Sequence, residues 1–301
     1  MKIVTLLPSA TEIVCALGLA DRLVGVSHDC DYPPEILNRR VLSDAIVTAE
    51  MSSGQIDTTI RTQVHTGKSV YHLDSALLTQ LKPDLILTQE LCQVCAPSFT
   101  EVRRAARVLE GQTQIVSLEP HSLDDILETI RLVGRLTGTA AAADALILRL
   151  HERIERVRRM PPPQPRPRVA CIEWLDPIFL AGHWVPEMVA VAGATDGLGR
   201  PGKDSYVIAW DTLRAYAPEV LVVMPCGFDI ARTRQEMHLL TDRLGLADLP
   251  AVRTGRVFLT DASAYFSRPG PRIVRGLEIL ADIVHAGPGP LSIEGAERLE
   301  C

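Results

Sequence analysis

Apolar runs of strand length alternate with helical spacings along most of the chain. "KIVTLLP" at 2–8 predicts a strand. Ser9 and Glu12 then have the spacing of a capping box, so a helix "ATEIVCAL" follows, with Gly18 as its left-handed stop. "RLVGVS" predicts a second strand, "HDCDYPPE" a polar loop, Asp74–Leu81 a helix and "DLILTQ" a buried strand. Beyond "ELCQVCAPS", Ser98 and Glu101 form another capping box, a helix runs to about Glu110, and "TQIVSL" is a further strand. Strands that alternate with helices predict a parallel sheet with helices on its faces.

The pattern changes at Ser122. Leu123, Ile126, Leu127, Ile130 and Val133, then Leu146, Ile147, Leu150, Ile154 and Val157, keep helical spacing to about Met160. One unbroken helix of that length would span roughly 55–60 Å, with Gly134 and Gly138 the alternative points at which it breaks. "MPPPQPRPR" ends it in a stiff extended linker. The alternation then resumes with strands "RVACIEW", "EVLVVMP" and "RVFLTD". Two segments recur in the same order. "EIVCALG" at 12–18 matches "EMVAVAG" at 187–193, and "LLTQLKPDLILT" at 77–88 parallels "TLRAYAPEVLVV" at 212–223. The fold class is therefore α/β: two lobes with parallel-rich sheets flanked by helices, joined by a long backbone α-helix. The expected divisions are a lobe at 1–121, the helix at 122–160, a Pro-rich linker at 161–167, a lobe at 168–285 and a tail at 286–301. Ligands of such sheets sit beyond the carboxyl ends of the strands, so a cleft between the lobes is the expected site.

Composition narrows the function. The net charge is −6 with both signs well mixed, and no basic stripe marks a nucleic-acid partner. No apolar run has the roughly 20 residues that cross a membrane, so no insertion is expected. Pro8 and Glu12 interrupt the first apolar stretch, which reads as folded protein rather than a leader; this predicts a cytoplasmic location. Seven dispersed cysteines do not form a disulfide framework. There is no phosphate loop, nucleophile elbow or HExxH, and the Gly-rich "GATDGLGRPG" follows a helix rather than a strand, so no nucleotide is expected.

The candidate chemistry sits in loops after strands. Cys92 and Cys95 suit a redox pair, a soft-metal or ligand contact, or a structural loop. Their counterpart in the second lobe is "VVMPCGF", with Cys226 and Phe228. His28, Cys30 and Tyr32 fall in "SHDCDYP", Glu173 and Trp174 in "EWLDP", His183 and Trp184 in "AGHWVPE", and Tyr265, Phe266 and Arg268 in "DASAYFSRPGPR". Ser9 and Glu90 complete the set of ligand-contact candidates; Cys92, Cys95 and His183 are the metal candidates. Aromatics make up only 4% of the chain, yet two of its three tryptophans lie in these loops, as expected for flat walls around a large ligand. The tryptophans equally suit a cap on the second lobe's core, His183 a hydrogen-bonded loop, and Arg268 and Arg272 a solvated turn instead of an anion contact.

"IVTLLPSATEIVCALGLADRLVGVSHDCDYP", the "LKPDLILTQ" strand, the long helix and "GLEILADIVH" resemble the cobalamin and iron-siderophore substrate-binding proteins of ABC transporters, closest in look to the cobalamin-binding branch. The resemblance spans roughly residues 1–285. It implies two α/β lobes on a backbone helix, as in class III periplasmic binding proteins. It further implies capture of cobalamin, another corrinoid or a chelated metal, and an ABC transporter permease as partner. By position it makes Trp174, Trp184, Phe228 and Tyr265 the aromatic walls. The cysteines depart from the usual exported pattern and suggest an intracellular offshoot. A thiol- or metal-dependent enzyme acting on a corrinoid and a metal-ion chaperone are the alternatives.

Overall fold

A computed structural model describes residues 1–66, 69–89, 113–287 and 293–299. The cysteine loop, with Glu90, Cys92 and Cys95, and the helix expected to run to Glu110 lie outside the described residues. The chain divides into two compact units. The first comprises Met1–Met51, Gln55–Pro120 and Asp125–Leu148; the second comprises Ser52–Gly54, His121–Asp124 and Arg149–Cys301.

In the first unit, β1 (Ile3–Thr5) is followed by α1 (Pro8–Ala16), β2 (Leu23–Val26), β3 (Arg40–Val41) and β4 (Ser43–Ala45). Then come α2 (Ser53–His65), whose first two residues count with the second unit, β5 (Tyr71–Leu73), α3 (Ser75–Leu81), β6 (Leu85–Thr88) and β7 (Gln114–Ser117). The main sheet is parallel throughout, in the order β3-β2-β1-β6-β7, and β4 and β5 form a separate antiparallel pair. Its core joins Val4, Leu6, Leu42, Leu78 and Ile86.

Helix α1 starts one residue before the expected capping box. Leu7 is the N-cap and Pro8 takes the first turn, with no side-chain cap. Proline suits the first helical position, where its missing N–H would have no intrahelical partner and its φ already fits, so the helix begins at Pro8 and Ser9 falls inside it. Ser9 and Glu12 are buried inside the helix instead. The expected helix at Asp74–Leu81 forms as α3, with Asp74 as its N-cap accepting from the Leu77 N–H at 2.8 Å.

The segment expected as one helix is two, α4 (Leu123–Thr137) and α5 (Ala140–Arg158). Gly138 has φ +73°, a conformation that glycine adopts without a Cβ penalty. The Gly138 and Thr139 N–H groups return to the Arg135 and Gly134 carbonyls, a Schellman ending. Arg131 then meets Asp144 at 3.6 Å. Those residues would be about 20 Å apart along one straight helix, so the chain turns sharply here. The boundary between the units falls inside α5, between Leu148 and Arg149.

The second unit runs β8 (Val169–Trp174), β9 (Phe179–Leu180), α6 (Val185–Val191), β10 (Tyr206–Val207), α7 (Trp210–Tyr216), β11 (Val220–Val223) and α8 (Ile230–Gln235). It closes with β12 (Val257–Thr260), α9 (Ile273–His285) and β13 (Ala296–Arg298). The sheet order is β10-β9-β8-β11-β12-β13, with a parallel centre β8-β11-β12 and antiparallel edges.

The repeated sequences take the same shape in both units. Helices α3 and α7 each stop at a left-handed residue before a proline, Lys82 at φ 49° and Ala217 at φ 50°. Proline excludes the right-handed helical conformation from the residue before it, so the chain leaves the helix there and enters the central strand β6 or β11. Helices α1 and α6 share an ending too: Leu19 N–H donates to Val14 O, and Ala194 N–H to Val189 O.

Candidate functional site

In each unit the parallel strands end on one rim. In the first, the Thr5 and Thr11 hydroxyls meet at 2.6 Å, and Cys30 Sγ lies 3.0 Å from Thr11 Oγ1 and 3.3 Å from Ser27 Oγ. Cys30 is buried in this small polar knot, which gives its thiol a packing role. His28 sits higher on the rim. Its Nδ1 is 3.0 Å from Ser43 Oγ, and its ring packs at 5.5 Å against Tyr71. Tyr32 is exposed. Ser9 packs inside α1, away from the surface.

The second unit gathers most of the predicted residues. Trp174 ends β8, is half-buried, and packs at 5.3 Å against Phe228 from the loop after β11. Its Nε1–H donates to the Ser53 carbonyl at 3.2 Å. The Cys226 N–H donates to the Glu173 carbonyl at 3.0 Å and the Ser263 N–H to the Phe228 carbonyl at 3.0 Å, so three strand-end loops are tied together. Arg268 donates to Ser263 Oγ at 3.0 Å, and the Arg272 guanidinium lies 5.9 Å from the Tyr265 ring. Arg232 covers Phe228 at 4.8 Å.

Trp184 and Phe266 correct the sequence reading. Both are buried, and Trp184 Nε1–H donates to the Phe266 carbonyl at 3.0 Å. They belong to the core that carries the rim, the alternative that loop position alone could not separate. His183, next to Trp184, has φ +52°, unusual for a residue with a Cβ. Its N–H donates to Lys203 O at 2.6 Å and its carbonyl accepts from Gly202 N–H at 2.9 Å, which holds it there. Its ring stacks on His121 at 6.0 Å. Burial lowers its pKa, the Asp204 carboxylate at 3.5 Å pulls the other way, and His121 adds to the lowering. Nε2 is buried, and the Asp204 carboxylate, at 3.5 Å, stands at the outer limit of hydrogen-bond distance from it. Among the described residues no group of three His, Cys, Asp or Glu is placed to hold a metal ion.

Glu173 lies beneath this rim. Its Oε2 accepts from Ser205 Oγ at 2.6 Å and Gly182 N–H at 3.3 Å. Burial raises its pKa, and the two hydrogen bonds only partly offset that. The folded protein therefore holds this proton to a higher pH than the unfolded chain, and stability falls as pH rises from the unfolded carboxylate pKa through the folded one. Glu173→Gln keeps an acceptor and never ionises. Its melting temperature should gain on the wild-type protein as pH rises above the ordinary carboxylate range; parallel melting curves would contradict the buried-acid reading.

Ser53, His121, Ser205 and Arg232 were not identified from the sequence. Helical spacing at Ile56, Ile60 and Val64 is the signal that could have found α2, which the sequence reading missed, and nothing local marks its first residue as a partner of Trp174.

The chain is 23% identical over 297 residues to an ABC transporter substrate-binding lipoprotein of Bacillus subtilis, covering 94% of this chain and 80% of that protein. It is 24% identical over 280 residues to a vitamin B12-binding protein of Vibrio cholerae, covering 92% and 86%. A periplasmic heme binding protein from Pseudomonas aeruginosa shares the fold, with TM-score 0.69, 20% identity and coverage of 100% and 98%. The lipoprotein relative and the periplasmic description of the matching family correct the expected cytoplasmic location: they point outside the cytoplasm. Residues 3–264 match the family model described as periplasmic binding protein, and the chain belongs to that family.

Proposed function

We propose that the chain is the substrate-binding protein of an ABC transporter, that it captures a corrinoid, cobalamin or a close relative, and that it hands this ligand to a permease. The observation that carries the reading is the half-buried Trp174 at the end of β8, backed by Phe228 from the loop after β11. An indole face fixed in this way suits a wide, flat ligand with polar substituents. His28 and Tyr32 are the corresponding rim residues of the first unit. The family consists of transporter substrate-binding proteins and not enzymes, so the thiol-enzyme alternative is set aside.

Titration with hydroxocobalamin, followed by visible absorption and gel filtration, tests this. The expected result is one equivalent retained with the protein. Burying about 100 Å² of indole at about 25 cal/mol per Å² contributes ~2.5 kcal/mol, so Trp174→Ala should weaken binding roughly 60-fold. Haemin is titrated in parallel. Retention of haemin without hydroxocobalamin would reassign the ligand, and retention of neither would remove the proposal.

A further inference from the structure

The geometry points to Glu236 as a positioning residue that sets the orientation of Trp174 without touching the ligand. This rests on the function proposed above for its consequence in binding, but not for its geometry. Glu236 follows α8 and its side chain is only 5% exposed. A buried carboxylate is costly unless its oxygens are well partnered. Here both oxygens accept from the Ser53 N–H, at 3.1 and 3.0 Å, and Oε1 also accepts from Arg232 Nη2 at 2.6 Å.

Those contacts close a circuit within the second unit. Glu236 holds Arg232, whose guanidinium covers the Phe228 ring at 4.8 Å. Phe228 packs on Trp174 at 5.3 Å. Trp174 donates to the Ser53 carbonyl at 3.2 Å, and the Ser53 N–H returns to Glu236. Ser53 thus presents opposite ends of one residue's backbone to the two groups, the N–H to the carboxylate and the carbonyl to the indole. Both sides of the Trp174 setting, the edge through Ser53 and the face through Phe228, lead back to the same carboxylate. A side chain that only filled space would explain neither the charge nor the double attachment, whereas a fixed first contact needs a supporting shell of this kind.

The test labels the protein with 5-fluorotryptophan and records fluorine NMR without ligand. The chain has three tryptophans, and Trp174→Phe assigns the resonance of interest. Glu236→Ala should move or broaden the Trp174 resonance, leave those of Trp184 and Trp210 in place, and weaken hydroxocobalamin binding roughly tenfold, the lower end of what loss of a supporting contact does. Glu236→Gln keeps an acceptor for Ser53 but turns an amide toward Arg232. It should shift the same resonance less, and it carries the test if the alanine variant fails to fold. An unmoved Trp174 resonance overturns the inference. So does a movement of all three resonances, which would mark a general structural role, or a shifted Trp174 with unchanged affinity. If the wild-type protein binds no hydroxocobalamin, the proposed ligand falls, and the Trp174 resonance alone still decides the positioning.

Discussion

Trp184→Ala should destabilise the protein by about 3–5 kcal/mol, the range for removing a large buried aromatic. Trp184 is 6% exposed, immediately precedes α6, and gives its one polar hydrogen to Phe266 O. The substitution opens a cavity and also removes the donor from a buried carbonyl, a loss worth about 1–3 kcal/mol where no water replaces it. Urea denaturation measures the change. A loss below about 1 kcal/mol would show that the indole is not part of the core, since surface changes stay near 0.5 kcal/mol. The contrast with Trp174 is the useful part. Trp174 is half-buried and its replacement should be read in ligand affinity, whereas Trp184 should be read in stability first.

These two tryptophans also show where the sequence stopped being legible. Both follow a strand-like segment, both sit in loops, and both precede a proline within three residues, at Pro177 and Pro186. What separates them is a partner 82 residues away for Trp184 and one 121 residues away for Trp174. No local pattern encodes that. The central strands were readable because their buried faces form continuous apolar runs, as in β6 and β11, where all four residues are buried. The edge strands β3, β9 and β10 have only two residues each, too few to carry a period. The break between α4 and α5 was visible as Gly138 but outweighed by the apolar spacing on either side. Glycine tolerates a helix at modest cost, and only the Schellman hydrogen bonds decide that the helix ends there.

Gly276→Ala is the second substitution expected to act strongly, and it reaches the rim through the backbone. Gly276 lies in α9, where alanine in place of glycine ordinarily stabilises by about 1 kcal/mol. Here a Cβ would stand 2.2 Å from the Tyr265 carbonyl oxygen, closer than such atoms come, and the obstacle is main chain that cannot rotate aside. Either α9 or the Tyr265 loop must move, so the collision should outweigh the propensity gain and leave the protein about 1–3 kcal/mol less stable, as for other overpacked cores. The sign alone is decisive: a more stable Gly276→Ala protein would mean that helix and loop do not approach this closely. The same loop presents Phe266 O to Trp184 and Arg268 to Ser263. Displacing it should strain the Trp184 hydrogen bond, so the two substitutions should not add. In the double variant that bond is already gone, and Gly276→Ala should cost measurably less than it does alone, a coupling of about 0.5 kcal/mol or more for residues sharing one loop. Strict additivity would instead mean that α9 supports the Tyr265 side of the rim independently of the tryptophan beneath it.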